Sequence, residues 1–251
     1  MKGSVITMEF TVVRSLVREP ISYEKSAYQA SLIISGLSIV YLFSVVATGN
    51  SWLPYTDINL DSSEWLLCLL QCAAGMAALQ LPLVLKKLTG IKLPSMLNVG
   101  FYAFLLGSTV LGEVFSLYYR VPCWDDILHF GSGMMIGMIG SVLFMHYCRK
   151  KQCQHLVSPA LIAIASVCFA VFIGVAWEIY EFAGDSLLGL NMQKCLLQDG
   201  TALIGNAALA DTMKDLIVDL GGALVAAFVS YTSLKNKQGW LYPGDFTALR
   251  A

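Results

Sequence analysis

The sequence predicts an all-α, polytopic membrane protein, a bundle of about six transmembrane helices. Three observations predict it. The 251 residues are 57% apolar and only 13% charged, against roughly 25% charged in an ordinary soluble domain. The mean hydropathy is +0.66. Several apolar runs reach the ~20 residues a helix needs to cross ~30 Å of hydrocarbon, which no soluble core requires.

The runs cover residues 27–48, 64–85, 95–118, 127–147, 158–182 and 212–234. The fifth starts at Pro159, a good first-turn residue. The last four carry acids near one end, so hydropathy alone would clip them. Residues 1–251 read as one membrane domain: an amino-terminal segment 1–26, the bundle 27–234 and a tail 235–251. Residues 10–19 suit either a short amphipathic helix on the membrane surface or a solvated tail. The connection 186–210 is long and partly apolar, which points to a short interfacial or re-entrant helix. Residues 1–26 lack the clean apolar stretch and small-residue cleavage site of a removable signal peptide.

Orientation follows from the loops. Lys2, Arg14, Arg18 and Lys25 precede the first run, and no Lys or Arg follows it before the second. Lys86, Lys87 and Lys92 mark the second connection, Arg120 alone the third, and Arg149, Lys150 and Lys151 the fourth. Lys194 is the one basic residue of the fifth, and the tail has Lys235, Lys237 and Arg250. Rich and poor loops alternate, so both termini are expected on the cytoplasmic side of the inner (cell) membrane. The net charge of −1 suggests no nucleic-acid partner. The bilayer is the expected partner.

Placed on that topology, the acids converge at the outer end. Glu113 lies ~18 residues, or ~27 Å, along the third helix. Glu178 and Glu181 end the fifth, Asp125, Asp126 and His129 open the fourth, and Asp211 and Asp215 open the sixth, with Asp219 two turns deeper. Glu178, Glu181 and Asp185 share a helical stripe, as do Asp211, Asp215 and Asp219, and Asp125 with His129 is an i, i+4 pair. Like charges at that spacing repel and call for a cation. Arg120, Lys194 and Lys214 are the few on hand. A divalent ion is the other solution, since carboxylates suit Mg, Ca and Mn, and His tolerates Mn or Zn. The bland reading makes Asp125 and Asp211 helix caps and Asp126 a solvated rim charge. Ionisable groups within membrane helices are costly, however, and by default mark a functional site. Small residues on the fourth helix (Gly131, Gly133, Gly137) and the sixth (Gly221, Gly222, Ala223) would let these helices approach closely.

Four ordered motifs now stand out: Gly112-Glu113, Trp124-Asp125-Asp126-Ile-Leu-His129-Phe-Gly-Ser-Gly133, Trp177-Glu178-Ile-Tyr-Glu181-Phe, and Asp211-Thr-Met-Lys-Asp215-Leu before Gly221-Gly222-Ala223. Together they resemble the YjdF-like family of bacterial inner-membrane proteins over about residues 100–230, and more distantly VanZ-like proteins. The resemblance implies a multi-pass membrane fold and marks Glu113, Asp125, His129, Glu178, Glu181, Asp211 and Asp215 as motif residues. The VanZ likeness implies cell-envelope biology.

Two functions compete, beside a structural scaffold for envelope partners. In the first, the chain is a metal-dependent enzyme acting at the outer face on a lipid-linked or phosphorylated substrate. Glu113, Glu178, Glu181, Asp211 and Asp215 then hold one or two divalent ions (Mg, Mn or Zn), and His129 with Asp125 supplies acid–base catalysis. Against it, H-E-x-x-H, G-x-S-x-G and a phosphate-cradling glycine loop are all missing. In the second, the acids bind a cation, proton or small cationic solute for transport. Six helices without a repeat would then call for a homodimer. Depth favours the enzyme, because Asp219 alone reaches toward the midplane. Three minor features complete the reading. His146, Cys148, Cys153 and His155 offer a zinc quartet of unusual spacing, Cys123 and Cys195 a disulfide, and Gln193 a polar contact. Trp52, Trp65, Trp124, Trp177 and Trp240 suit an interfacial belt.

Overall fold

The structure, a computed structural model, describes residues 23–51, 53, 64–197, 201–239 and 241–242. The amphipathic stretch 10–19, Trp52 and Trp240 lie outside them. Helices dominate: α1 (Tyr23–Thr48), α2 (Glu64–Ala78), α3 (Leu81–Thr89), α4 (Ser95–Leu105), α5 (Leu117–Arg120), α6 (Trp124–Lys150), α7 (Pro159–Leu188) and α8 (Asn206–Lys235). A π-helical stretch, Leu106–Val114, continues α4, and a 3-10 turn, Gln154–Leu156, precedes α7. Six helical segments among the described residues are long and apolar enough to span a membrane, from Tyr23–Thr48 to Asn206–Lys235. The protein is an all-α polytopic bundle, as its composition requires.

Local chemistry sets the helix ends. Ser158 accepts a hydrogen bond from Leu161 N and Pro159 fills the first turn of α7. Gly189, at φ +66°, closes that helix in the left-handed conformation glycine adopts without penalty. Pro82 sits in the first turn of α3 and splits the second span at Leu79-Gln80. Asp125 and Asp126 lie in the first turn of α6, and Arg149 and Lys150 in its last, both matched to the helix dipole.

Three expectations need correction. The third run is not one helix over 95–118. Ser108 and Thr109 hydroxyls both bond back to Leu105 O (3.2 and 2.7 Å), and the ladder opens to i→i+5, as in Phe115 N to Val110 O at 3.0 Å. Trp124 Nε1 donates to Gly107 O (3.2 Å), and Ser116, at φ +55°, turns the chain into α5. The fifth and sixth spans reach much further than hydropathy suggested, to Leu188 and from Asn206. The described part of the fifth connection is a hairpin-like loop with an antiparallel Leu196–Ala202 bridge, not a re-entrant or interfacial helix. Asn191 braces Leu196 through two 2.8 Å bonds, and Asp185 accepts from Met192 N (2.7 Å) and Gln193 N (2.9 Å). With Gly189 ending α7, those polar anchors leave no helix to extend.

Two packing groups result. Tyr41, Leu42 and Val45 of α1 pack with Cys68 and Cys72 of α2 and Val114 of the π-helical stretch. At the other end of α1, Glu24 accepts from Ser95 Oγ (2.5 Å) and Asn98 Nδ2 (2.7 Å), tying α1 to α4. The second group is α6, α7 and α8, closest where glycines face backbone. A Cβ on Gly133 would collide with the backbone of Asp219, and one on Gly222 with Phe130 O and Met134 N. The outward faces are apolar, with Ile33, Leu37, Phe172, Ile179, Ile217 and Phe228 all exposed, as lipid-facing helices require.

Gly133→Ala should therefore strain the α6–α8 contact and lower the melting midpoint in detergent, by about 1–3 kcal/mol in stability for an overpacked core. Gly131 has no neighbouring atom within 4 Å of its would-be Cβ. Gly131→Ala should leave the midpoint unchanged or raise it slightly, since Ala is the better helix former. Equal effects of the two substitutions would refute the close-packing account.

Candidate acidic and histidine centre

The acidic end of α6, α7 and α8 holds a buried polar centre. His129 lies one turn into α6 beyond Asp125, on the face turned to α8. The α6–α8 glycine contact then sets its ring between two carboxylates of α8. His129 Nε2 is 3.9 Å from Asp125 Oδ1 and 3.8 Å from Asp215 Oδ2, while Nδ1 is 3.4 Å from Asp219 Oδ1. Ligand atoms of Asp125, His129 and Asp215 lie within 4.8 Å of one another, the metal-compatible group among the described residues. Asp215 is 2% exposed and Asp219 5%, so neither is a solvated surface acid.

Among the described residues Asp215 Oδ1 has no hydrogen-bond partner, and the Glu178 carboxylate makes no close hydrogen bond although the Thr212 hydroxyl stands near it. Native proteins satisfy nearly all such groups. Glu178 faces His129, Asp211 and Asp219. Glu181, one turn on, accepts from Trp177 Nε1 at 2.8 Å.

The loops close the centre. Lys194 donates to Asp125 Oδ2 and lies 3.8 Å from Asp211 Oδ1. Its ammonium also stands over the Tyr118 ring, 5.5 Å from the centroid. Desolvation lowers the lysine's pKa, but Asp125, then Asp211 and Asp215, outweigh it and hold the group above its ordinary 10.5. Tyr118 is pushed up by burial and by Glu113, Asp125, Glu181 and Asp215 around it. Gln193 Nε2 donates to Thr212 Oγ1 (2.9 Å), and Lys214 pairs with Asp126 at 2.6 Å.

The sequence-derived set is thus divided. Asp125, His129 and Asp215 converge, Glu178 and Glu181 line the same centre, and Asp211 is engaged by Lys194. Glu113 acts from beyond Tyr118 and Cys72. Asp211 is no helix cap, because α8 starts five residues earlier with Gly205 at its cap position. Asp185 leaves the acidic stripe to anchor the loop. Among the described residues His146, Cys148, Cys153 and His155 form no converging ligand set, and Cys123 and Cys195 are free thiols. Two tryptophans assigned to an interfacial belt do more than anchor, since Trp124 and Trp177 hydrogen-bond to Gly107 and Glu181. Asp219 and Tyr118 are central residues that the motif reading left out. Asp219's i+4 spacing from Asp215 was the available signal, whereas Tyr118 depends on the turn at Ser116, which no pattern announced.

These features define a class: a polytopic helical membrane protein with a buried aspartate, glutamate and histidine centre at one end of its bundle. A family model described as "Predicted membrane protein (DUF2238)" matches residues 31–236, and the chain belongs to that family. The YjdF-like resemblance is consistent with this membership. A protein of Thermotoga maritima described as "Uncharacterized protein" is similar, 29% identical over 160 residues, which is 63% of this chain and 74% of that protein. No solved structure matches.

The Lys194 pairing carries a signed pH dependence. A group whose pKa rises on folding stabilises fully below its unfolded value and loses that contribution as pH climbs through the folded one. Lys194→Met should therefore lower stability at neutral pH, by about 1–2 kcal/mol for a pair that is neither exposed nor fully buried. The gap from the parent should narrow as pH passes above the ordinary lysine range. Melting curves across neutral and alkaline pH check this, and a gap of constant size would count against the pairing.

Proposed function

We propose that the centre is a divalent-cation site of a membrane enzyme that acts, at the outer face of the cell membrane, on a phosphorylated headgroup. The convergence of Asp125, His129 and Asp215 beside the open Asp215 Oδ1 carries this reading. An acidic cluster alone would be explained by pairing and caps. The open Asp215 Oδ1 is not, because an unmet buried acceptor costs free energy that a bound cation or substrate would recover.

The donor set is two carboxylates and one imidazole, which suits Mn or Zn and accepts Mg. His129 would bind through Nε2. Asp219, at Nδ1, would orient the ring and raise its basicity, the usual role of a carboxylate behind a metal-bound histidine. This moves His129 from general base to ligand. Glu178 becomes the better general base, being buried, adjacent and free of any lysine or arginine ion pair among the described residues. Asp125 serves both neighbours, Oδ1 toward the ion and Oδ2 toward Lys194. The ion supplies Lewis-acid polarisation of a phosphoryl oxygen. Lys194 would add a second positive charge for the same group, which favours a phosphate over a cationic solute.

Transport is the weaker reading, because the polar centre does not continue through the bundle. Past Asp219 the helices close: a Cβ on Gly137 would stand 2.6 Å from the Ala226 methyl, and Ala223 and Ala226 are fully buried.

Two experiments test the proposal. Mn or Zn should raise the melting midpoint of the detergent-purified protein, with ~2.7 kcal/mol of stabilisation at one hundred times the dissociation constant. Asp215→Asn and His129→Asn should abolish the rise, and Glu178→Gln should keep it. If no divalent ion stabilises the parent, the metal site is wrong. For orientation, the exposed Cys123, as the sole cysteine, should react with a membrane-impermeant maleimide on intact cells. Labelling that appears only after lysis would invert the topology.

A further inference from the structure

The acidic centre borders an apolar cavity on the membrane side. The cavity, of about 260 Å³, lies between α7 and α8 and is lined by Val171, Gly174, Val175, Ile217, Leu220 and Asp219. Its walls belong to two membrane-spanning helices, and Val175, Ile217 and Leu220 are exposed. The mouth therefore meets hydrocarbon rather than water. Asp219 joins this groove to the proposed cation site, since its Oδ1 is 3.4 Å from His129 Nδ1. Gly174 makes room for the Asp219 carboxylate at the groove, because a Cβ there would stand 2.6 Å from Asp219 Oδ2.

We propose that the groove seats part of the hydrocarbon chain of a phosphate-headed lipid, which enters sideways from the bilayer and places its phosphate at the Asp125, His129 and Asp215 centre. This rests on the phosphoryl reading above and narrows it to a lipid. The charges fit. Lys194 and the bound cation receive the phosphate, and the apolar walls take the chain. A water-soluble phosphate would leave those walls unused. The volume suits a segment of one chain, the rest of the lipid remaining in the bilayer. The apolar lining stabilises the bound chain little beyond the bilayer itself, so the groove gives specificity and position more than affinity.

The test compares three probes on the Mn-loaded protein in detergent by native mass spectrometry: dioleoyl phosphatidic acid, dioleoylglycerol and glycerol 3-phosphate. The parent should retain phosphatidic acid at least about tenfold more tightly than either other probe. Val175→Trp and Ile217→Trp, which fill the mouth, should each weaken phosphatidic acid by about tenfold while keeping the Mn-dependent rise in melting midpoint, which shows that they fold. Wall variants that keep Mn and still hold phosphatidic acid like the parent would overturn the groove and leave the cation site standing. Glycerol 3-phosphate bound as tightly as phosphatidic acid would do the same. Groove-dependent retention of phosphatidic acid without any effect of Mn would instead support the lipid seat and sink the metal reading.

Discussion

The close approach of α6 and α8 is the constraint on which the rest depends. Gly133 lies against the backbone of Asp219, and Gly222 against the backbone of Phe130. Inside a bilayer, apolar side chains gain little by leaving lipid for protein, so helices associate through contact area that small residues allow. Here the contact does more than join two helices. It brings the residue before Phe130, His129, within reach of Asp215 and Asp219. A wider separation would leave three ionisable side chains in hydrocarbon without one another, at a cost no membrane protein sustains without partners. Packing and electrostatics are the same device at this point.

The charges around that contact are balanced unevenly. Lys194 compensates Asp125 and Asp211, and Lys214 compensates Asp126. Both also act on Asp215 through space, without a direct ion pair to it among the described residues. His129 is the cationic candidate at depth, and it faces three aspartates. The loop that carries Lys194 is itself held by Asp185 and Asn191, so the ammonium is positioned rather than swinging free. The acids that Lys194 and Lys214 reach directly form one group, and the deeper acids, of which Glu181 accepts from Trp177 and Asp215 keeps Oδ1 open, form another. Structural ion pairing explains the first group and fails for the second.

Much of this was legible in the sequence, for identifiable reasons. Hydropathy and length gave six spans because a bilayer leaves helices few alternatives. The spacings of Asp125 with His129 and of Asp211, Asp215 and Asp219 placed those residues on shared faces, since 3.6-residue periodicity is exact enough over two turns. Span ends were misjudged at 183–188 and 206–211, where Asp185 and Asp211 with small and polar neighbours lower local hydropathy while remaining helical. The π-helical stretch was invisible because it follows from hydroxyl back-bonding at Ser108 and Thr109 within an otherwise ordinary apolar run. Tyr118 and Lys194 joined the centre through loops, and loop geometry has no period to read. The same limit hid the division of the acids: Asp185 and Glu181 share a stripe, yet one anchors a loop and the other lines the centre.

Depth decides what the centre is suited to do. Polar chemistry also exists at the opposite end of the three-helix unit, where Ser230 Oγ donates to Ser141 Oγ (3.0 Å) and Ser166 Oγ to Gly137 O (2.7 Å). Those hydroxyls are spent on one another and on backbone, which is how small polar residues join helices in lipid. Between the Ser141–Ser230 pair and Asp219 stand Gly137, Ala223 and Ala226, with the Ser166 hydroxyl beside Gly137. A relay across the membrane needs exchangeable groups at hydrogen-bond spacing throughout, and here the Ser166 hydroxyl is spent on a backbone carbonyl amid methyls. Toward the lipid, by contrast, Asp219 is itself among the residues that line the groove between α7 and α8. The proposed lipid route therefore runs sideways rather than along the membrane normal. That geometry suits a molecule which itself straddles the boundary between water and hydrocarbon better than one passing from one side to the other.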